Sequence, residues 1–331
     1  MNPKISVVMS VYNGARHLRE AIDSVLNQTF SDFEFIIVND ASTDRSRDIV
    51  LSYSDPRIVL IENERNEGIT RSLNKGLRAA HGLFIARQDA DDISEPQRLE
   101  VEVDFLERFP DVGLVGTHAA FIDRKGRVFG TWETPATHEE IVKGMQYGNC
   151  FCHGSVMVRK RCLDTVGFYR EAFKYAQDYD LWLLVSEQYR TANISMPLYR
   201  MRRSPDTISR RRHSEQLDFH LLAIELAKER RRTGVDSLAA LRNERITAVL
   251  QSRYKVSGAT IQRFKSEMFL VKFSESLQSG DYRNAIGFWA AAFLMEPRLW
   301  KLRILIRRLY RSLTAAARCD ASMPKLFTRR Q

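Results

Sequence analysis

The chain has few of the residues that mark disordered, collagenous or disulfide-stapled proteins. Its 331 residues include only 4 Cys, 9 Pro and 16 Gly, and 44% are hydrophobic. This composition excludes those classes and predicts globular structure, with about two domains at the usual domain size. There is no run of about 18 apolar residues, and the first residues lack the basic-then-apolar layout of a signal peptide. We therefore expect a cytoplasmic protein.

Motifs for zinc and for phosphate binding are also missing. The four cysteines, Cys150, Cys152, Cys162 and Cys319, include one Cys-x-Cys pair and no second pair, which is poor zinc spacing. We expect them to be ordinary reduced thiols. Neither GxGxxG nor GxxxxGK[ST] occurs, so no dinucleotide fingerprint or P-loop can hold a phosphate group. A cation and an arginine would have to do so.

The net charge of +10 is concentrated at the end of the chain. Residues 298–331 carry ten Lys or Arg and one acid, so the rest is nearly neutral. An enzyme of nucleic acids usually carries its basic surface in the body of the protein, and we expect no nucleic-acid partner. Apolar residues recur there at three- to four-residue steps beside arginines: Leu299, Leu302, Ile306, Leu309 and Leu313. This pattern predicts a basic amphipathic helix that either lies on an anionic membrane surface or docks on preceding helices.

From residue 5 onward, short β-rich runs alternate with segments of helical period. Strands are predicted at 5–11, 33–38, 58–61 and 83–86, with helices at 15–26, near Ser42 or Thr43, and after Gly68. Such alternation predicts βαβ units with right-handed crossovers. It indicates an α/β fold, Rossmann-like, with a mostly parallel central sheet and helices on both faces. Ligands of such sheets bind beyond the carboxyl ends of the strands.

The pattern changes twice further along the chain. Strands at 112–116, 155–158 and 194–199 and a helix at about 178–189 predict a mixed region that would hold a second substrate. Few strand signals follow residue 210, and helical runs are predicted at 213–231, 237–250, 260–277, 282–295 and 299–314. We therefore expect a first domain at 1–210 and a helical extension at 211–331.

The segment Asp89-Ala90-Asp91-Asp92 is the strongest chemical signal. Three carboxylates just after a buried strand repel one another unless a cation neutralises them. Oxygen ligands of this kind suit Mg²⁺ or Mn²⁺, which take one or two carboxylates and complete their shell with water and phosphate oxygens. The alternative is that Asp92 or Ser94 caps a helix that begins near Pro96.

Three further residues carry candidate chemistry, each with a simpler alternative. Asp40 follows a strand, where it could bond a nucleobase edge or cap the next helix. Arg71, on the helix after Gly68, could bind a diphosphate with two hydrogen bonds or simply be solvated. Asp178, at a predicted helix start, could accept a proton from a hydroxyl or act as an N-cap. Asp180 points elsewhere around that helix.

Five segments, taken together and in order, resemble glycosyltransferase family 2 with its GT-A fold. They cover about residues 4–209 and are Ile5-Ser6-Val7-Val8-Met9-Ser10-Val11-Tyr12-Asn13-Gly14, Val38-Asn39-Asp40-Ala41-Ser42-Thr43-Asp44, Asn66-x-Gly68, Asp89-Ala90-Asp91-Asp92 and Gln177-Asp178-Tyr179-Asp180-Leu181-Trp182. The resemblance implies an inverting enzyme that depends on Mn²⁺ or Mg²⁺. The donor would be a nucleotide-diphosphate sugar, expected to be UDP-linked. The acceptor would be a hydroxyl of a saccharide or lipid-linked molecule in cell-surface polysaccharide synthesis.

The resemblance also implies roles for individual residues. Tyr12 and Asp40 would line the base pocket, Arg71 would approach the base or diphosphate, and Asp89 would face the ribose. Asp91 would ligate the metal and Asp178 would be the general base. His153 is either an acceptor-side residue or structural. The lipid-linked acceptors frequent in this family favour peripheral association with the inner face of the cell membrane through the 298–331 tail.

Two departures from the family pattern leave other functions open. Gln177 stands where the family usually has Glu, and Tyr199-Arg200-Met201-Arg202 has no His where the family usually ends this motif in one. An arginine there could contact phosphate in place of the imidazole. One alternative is sugar transfer to a polyprenyl phosphate, which needs no general base. Another is a non-catalytic scaffold that binds nucleotide sugars.

Overall fold

The computed structural model describes residues 2–203 and 213–238, together with residues 249, 258, 261 and 265. The polypeptide divides into two compact units, Met1–Leu250 and Gln251–Gln331. The boundary expected near residue 210 falls before a helix, His213–Thr233, that belongs to the first unit. The basic segment 298–331 and the helices predicted at 237–250, 260–277, 282–295 and 299–314 lie outside the described residues, apart from the isolated positions above.

Strands and helices alternate through the described part of the first unit. The strands are β1 Ile5–Val11, β2 Phe33–Asn39, β3 Ile58–Glu62, β4 Phe84–Asp89, β5 Ile93–Ser94, β6 Val112–Ile122, β7 Val128–Trp132, β8 Met157–Arg159 and β9 Arg190–Arg202. The helices are α1 Leu18–Leu26, α2 Ser46–Leu51, α3 Ile69–Ala79, α4 Arg98–Arg108, α5 His138–Gly144, α6 Lys160–Val166, α7 Gln177–Gln188 and α8 His213–Thr233. The predicted α/β class is confirmed by this order.

The strands form one mixed sheet in the order β3-β2-β1-β4-β8-β6-β9-β5, with β7 paired to β6. The first four strands are parallel, and Ile5 of β1 lies between Phe33 of β2 and Phe84 of β4. The chain moves outward from β1 to β3 and then returns to place β4 on the other side of β1. This reversal creates a crevice at the carboxyl ends of β1 and β4, where ligands of open α/β sheets bind.

The two faces of the parallel strands are covered by different helices. Val7 and Met9 of β1 face a buried cluster that includes side chains of α1, α2 and α4. Val8 faces α3, where Gly76 allows the backbones to approach closely, since a Cβ there would lie 2.7 Å from Val8 Cγ1. Because both faces are buried, β1 is a nearly continuous apolar run.

Beyond β4 the sheet is mixed, because β8 runs antiparallel to both β4 and β6, whereas β6 and β9 are parallel. Four short elements of this region, β5, β7, α5 and α6, were not predicted from the sequence. Strand β4 also extends three residues beyond its predicted end. Its polar residues Arg87 and Gln88 are buried within the sheet by hydrogen bonds, a pairing that residue type alone does not reveal.

Two predicted helix starts are wrong. Helix α4 begins at Arg98, and Ser94 lies in β5 opposite Tyr199, so neither Asp92 nor Ser94 caps it. Helix α2 begins at Ser46, whose backbone N–H donates to Asp44 Oδ1 over 2.9 Å, rather than near Ser42 or Thr43. In both cases another element bonds the polar side chain that would have been the cap.

Other expectations from composition can be compared with the described residues. Cys150, Cys152 and Cys162 are buried free thiols, as predicted, and Cys319 lies outside the described part. Burial raises the pKa of the Cys150 thiol to about 11. No helix of the described chain has an apolar stretch long enough to span a bilayer.

Candidate active site

Tyr12 and Asn13 follow β1 at the crevice. The Tyr12 side chain is half exposed, at 50% of its full surface. Asn13 has a φ of +52°, and its Oδ1 accepts a hydrogen bond from Thr43 N over 2.8 Å. Its own N–H donates to Ser42 Oγ over 3.0 Å. The loops after β1 and β2 are thereby joined, and the Tyr12 ring is left open to a flat partner such as a nucleobase.

Asp40 is a buried carboxylate at the end of β2 that fixes a neighbouring loop. Oδ1 accepts hydrogen bonds from Asn63 Nδ2 and Glu67 N, both over 2.8 Å, and Oδ2 accepts one from Gly68 N over 2.9 Å. Gly68, at a φ of +87°, leads into α3. Asp40 therefore holds the loop that presents α3 to the crevice, and it does not cap α2. Its predicted contact with a base remains a prediction.

We expect Asp40→Asn to destabilise the fold. The amide cannot accept three hydrogen bonds at once and places a donor against one of the backbone N–H groups. Leaving a buried donor without its charged acceptor costs about 1–3 kcal/mol. Urea unfolding measures the change, with Glu62→Gln as the control, because the exposed Glu62–Arg47 pair contributes little. An unchanged unfolding midpoint for Asp40→Asn would contradict this role.

Arg71, on the first turn of α3, is paired with a loop from the other half of the domain. Its Nε lies 3.0 Å from Glu171 Oε2, and both side chains are about half exposed. Two neighbours on α3 bond the same loop: Thr70 Oγ1 donates to Phe173 O, and Asn74 Nδ2 donates to Tyr169 O. Arg71 is thus neither simply solvated nor buried. The guanidinium is accessible to an anion at the crevice.

Asp89 ends β4 beside a buried arginine. Arg87 Nη2 donates to Asp89 Oδ1 over 2.6 Å, and the Asp89 N–H donates to Tyr199 Oη over 3.1 Å. Burial alone would raise the pKa of Asp89, but the Arg87 charge holds it below its usual value. Asp89 is therefore an anion held in one orientation at the carboxyl end of β4.

Asp91 and Asp92 differ in exposure. Asp92 is buried, and its Oδ1 accepts a hydrogen bond from Arg202 N over 2.7 Å. Asp91 is exposed, yet the protein around it removes part of the water from its carboxylate. This desolvation and then repulsion from Asp89 raise the pKa of Asp91 to about 6. Burial and then the Asp91 charge raise the pKa of Asp92 well above its usual value.

The segment fits a divalent cation that is shared with a ligand. Among the described residues, no three His, Cys, Asp or Glu side chains come together as a complete metal cage. Magnesium and manganese sites that also bind phosphates need only one or two carboxylates, with phosphate oxygens and water as the remaining ligands. Asp91 is accessible and is repelled by Asp89, so a cation beside them would relieve that repulsion.

A buried hydrogen-bond network holds the residues on either side of the acidic segment 89–92. Arg98, with no exposed surface, donates to Ser94 Oγ over 2.9 Å and to the carbonyl oxygen of Arg87 over 2.8 Å. Its Nε lies 3.3 Å from Glu102 Oε2 in an ion pair that is fully buried. Burial outweighs the attraction of Arg98 and raises the pKa of Glu102 to about 7.

This raised pKa predicts a pH dependence of stability. Between the unperturbed value of 4.5 and about 7, folded Glu102 retains a proton that the unfolded chain releases. Stability therefore falls as the pH rises through this window. Between acidic and mildly alkaline pH, we expect the free energy of unfolding of the wild type to fall by up to about 3 kcal/mol more than that of Glu102→Gln, which has no titrating group at this position. Denaturant unfolding at several pH values measures it, and parallel curves for the two proteins would contradict the prediction.

Asp178 lies in the first turn of α7, facing the crevice from the other half of the domain. Ala176, the residue before α7, has a φ of +54°, a strained conformation for a residue with a side chain. Asp178 is half-buried, and its Oδ2 accepts a hydrogen bond from Asn149 Nδ2 over 2.7 Å. Ala176 is the N-cap residue, so Asp178 is not the cap. Asp180 is buried in an ion pair with Arg170, which confirms that it points elsewhere.

His153 lies close enough to both Asp89 and Asp178 for their charges to act on its ring. Its Nε2 is 2.8 Å from Tyr169 Oη, and its ring packs edge-on against Tyr169 and Trp182. Burial, followed by the Arg87 charge, lowers the pKa of His153, whereas Asp178 and then Asp89 act to raise it. The imidazole is therefore a neutral, packed group. Contact with an acceptor remains a prediction for it.

Comparison with known proteins gives the family. The model of glycosyl transferase family 2 matches residues 6–167. EpsE of Bacillus subtilis is 38% identical over 232 residues, covering 68% of this chain and 82% of EpsE. This chain belongs to glycosyltransferase family 2. The amylovoran biosynthesis glycosyltransferase AmsE of Erwinia amylovora is 28% identical over 69% of this chain and 87% of AmsE. The predicted transferase is thus confirmed as a glycosyltransferase.

Solved structures confirm the GT-A fold. Residues 1–349 of TarS from S. aureus, in complex with UDP-GlcNAc, superpose with a TM-score of 0.56 at 17% identity, over 86% of this chain and 89% of that one. The mannosyltransferase PcManGT from Pyrobaculum calidifontis, in complex with GDP-Man and Mn²⁺, gives 0.54 at 17% identity, over 91% of this chain and 88% of that one.

Arg202 stands where the family usually has histidine, and its hydrogen bonds are made within the protein. Nε donates to the carbonyl oxygen of Asp91 over 2.8 Å, Nη1 donates to the carbonyl oxygen of Asp123 over 2.9 Å, and Nη2 pairs with Glu20 over 2.8 Å. In the structure Arg202 anchors the acidic segment, and a phosphate contact from its guanidinium stays a prediction. Gln177 is buried at the start of α7.

The structure brings together most of the predicted site residues. Tyr12 and Asp40 follow β1 and β2, and Asp89 ends the adjacent parallel strand β4, with Asp91 two residues further on. Sequence reasoning missed Asn149, Arg87 and the anchoring role of Tyr199. Arg87 lies two residues before the acidic motif and Tyr199 begins the late motif, whereas Asn149 carries no sequence signal.

Proposed function

We propose that this protein is an inverting, metal-dependent glycosyltransferase. It moves a sugar from a nucleotide-diphosphate donor, UDP-linked, to a hydroxyl of a saccharide or lipid-linked acceptor in cell-surface polysaccharide synthesis. The observation that carries the proposal is Asp178. It is an accessible carboxylate at a helix start with one oxygen held by Asn149, across the crevice from the acidic segment at β4.

The donor site is proposed at the ends of β1, β2 and β4. Tyr12 stacks on the base, Asp40 shapes the base pocket, and Asp89 faces the ribose. The presence of UDP-GlcNAc in the TarS complex and of GDP-Man in the PcManGT complex supports a nucleotide-sugar donor at this fold. The name of AmsE supports a role in polysaccharide synthesis.

Asp91, with Asp89 beside it, would hold the divalent cation, Mn²⁺ or Mg²⁺. When bound, the cation supplies positive charge to the donor diphosphate. The Mn²⁺ in the PcManGT complex supports this assignment. Arg71 adds a second positive group when it leaves Glu171 and turns to the diphosphate, and the half-exposed pair permits that exchange.

Asp178 accepts the proton of the acceptor hydroxyl as its oxygen attacks the anomeric carbon. The diphosphate leaves from the opposite side, and a single displacement inverts the anomeric centre. Half-buried His153 and buried Tyr169 lie close enough to Asp178 for its charge to act on them. Neither is required to carry a charge in this step.

We also propose a cytoplasmic location, peripheral on the inner face of the membrane, with the 298–331 tail on anionic lipid. We further propose that residues 1–210 form the catalytic domain and that residues 211–331 form an extension to it. Binding of the full chain to vesicles with and without anionic lipid tests this location. Equal binding to both vesicles, or binding to neither, would contradict it.

Thermal unfolding with nucleotides tests the donor site. The wild type is heated with UDP, GDP, CDP or dTDP, each with and without Mn²⁺. A ligand at about 100 times its Kd stabilises the native state by about 2.7 kcal/mol. We expect this shift with UDP and only when Mn²⁺ is present. Absence of a shift with all four nucleotides would contradict a nucleotide-sugar donor.

A further inference from the structure

Asn149 has a fixed orientation beside Asp178. Its Oδ1 accepts a hydrogen bond from the backbone N–H of Phe151 over 3.0 Å. A flipped amide would set two donors against each other there, so the NH₂ group must face Asp178. Nδ2 then donates to Asp178 Oδ2 over 2.7 Å, a short bond of the charge-assisted kind.

The segment that carries Asn149 is itself held in place. On its C-terminal side, the Cys150 carbonyl oxygen accepts a hydrogen bond from Asn193 Nδ2 of β9 over 3.1 Å, and Phe151 is fully buried against Trp182 of α7. Asn149 is thus anchored to the sheet and to the helix that carries Asp178. A side chain mounted in this way can set the direction of its partner's carboxylate.

The geometry points to Asn149 as a positioning residue that orients the Asp178 carboxylate for proton abstraction. Within the described residues, Oδ2 is occupied by the amide, and Oδ1 has no hydrogen-bond partner in the structure. The amide therefore selects which oxygen is presented to the acceptor hydroxyl, because only the oxygen that is not hydrogen-bonded to Asn149 is open to it. The inference rests on the proposed function, because it assumes that Asp178 is the base.

Other groups near the pair do not replace this contact. The charge of Asp178 acts on two titratable groups beside it, His153 and Tyr169. Burial lowers the pKa of His153 and raises that of Tyr169, so both are neutral. Asp180, on the same helix, is bound to Arg170.

Steady-state kinetics of Asn149→Ala tests the inference. The rate measured is the release of nucleoside diphosphate from UDP-, GDP- or dTDP-linked sugars with Mn²⁺ and methyl glycosides as acceptors. Losing a hydrogen bond to a charged group lowers kcat by about 10–100-fold. We expect the KM for the donor to stay within about twofold of the wild type, because the amide lies on the acceptor side of the crevice. Gln146→Ala, an exposed neighbour in the same segment, is the matched control.

Asn149→Asp supplies a signature that a merely structural role would not produce. At low pH the introduced carboxyl keeps its proton and donates it to Asp178 Oδ2 as the amide does. At high pH it is ionised, repels the Asp178 carboxylate and no longer orients it, so activity relative to the wild type falls as the pH rises. Asn149→Ala adds no titratable group. Its activity relative to the wild type is therefore expected to be low by the same factor at every pH. Because Asp is isosteric with Asn, this variant also serves if Asn149→Ala fails to fold.

The outcomes separate this inference from the proposed function. If Asp178→Asn has lost activity while Asn149→Ala retains a kcat within about threefold of the wild type, the positioning role is overturned and the base assignment stands. Parallel pH profiles for both Asn149 variants would overturn it as well. If the wild type and Asp178→Asn release nucleoside diphosphate at the same rate, the proposed function itself fails.

Discussion

Asp178→Asn is expected to lower kcat by about 10²–10⁴-fold, the usual contribution of a general base. The amide has nearly the same shape as the carboxylate but cannot accept the hydroxyl proton. The KM for the donor is expected to remain close to that of the wild type, since Asp178 lies across the crevice from the proposed nucleotide site. Steady-state release of nucleoside diphosphate measures both parameters.

Two controls make the Asp178 result specific. Asp164→Asn changes an exposed carboxylate on α6, outside the crevice, and is expected to keep full activity. Asp178→Asn keeps an acceptor oxygen for the Asn149 amide but loses the charge, so its free energy of unfolding should fall by no more than about 1–2 kcal/mol and the variant stays folded. Full activity of Asp178→Asn would favour transfer to a polyprenyl phosphate, whose acceptor needs no base, and would contradict the mechanism proposed here.

Asp91→Ala is expected to remove the metal-dependent part of nucleotide binding. Loss of a group that merely orients a metal ligand costs about 10–100-fold in affinity, and loss of a ligand itself costs at least the upper value. We therefore expect the Kd for UDP in the presence of Mn²⁺ to rise by about 100-fold, equivalent to about 2.7 kcal/mol. Isothermal titration calorimetry measures it.

The same titration without Mn²⁺ completes the test of Asp91. The wild type and Asp91→Ala should then bind UDP equally weakly, because the carboxylate acts only through the cation. Asp164→Ala is the matched control, because it removes an exposed aspartate of α6 that lies outside the crevice. This variant should bind UDP as the wild type does. A variant that kept the full effect of Mn²⁺ would show that Asp91 is not the metal ligand.

Sequence periodicity predicts the parallel half of the fold well, for a physical reason. Strands β1 and β2 are buried on both faces, so they appear as continuous apolar runs with clear ends. The end of β4 is less visible, because Arg87 and Gln88 are buried through hydrogen bonds to other elements. Short elements such as β5 depend on a distant partner, β9, which no local pattern reveals.

The candidate site shows the same division. Carboxylates after buried strands, such as Asp40 and Asp89, are visible in the sequence because the strand cannot satisfy them. What they contact is not visible, since Asp40 bonds a loop more than 20 residues away and Asp92 bonds the backbone of Arg202. Asn149 has no motif at all. Its importance arises only because the fold places it 2.7 Å from Asp178.

The anomeric configuration of the product tests the central claim most directly. The wild type is incubated with Mn²⁺, a donor sugar of the nucleotide class that stabilises it, and a panel of saccharide and lipid-linked acceptors, and the new linkage is examined by NMR. A single displacement with Asp178 as base predicts a product whose anomeric configuration is inverted relative to the donor. A product with retained configuration, or a protein that binds the donor yet transfers sugar to no acceptor, would contradict the account.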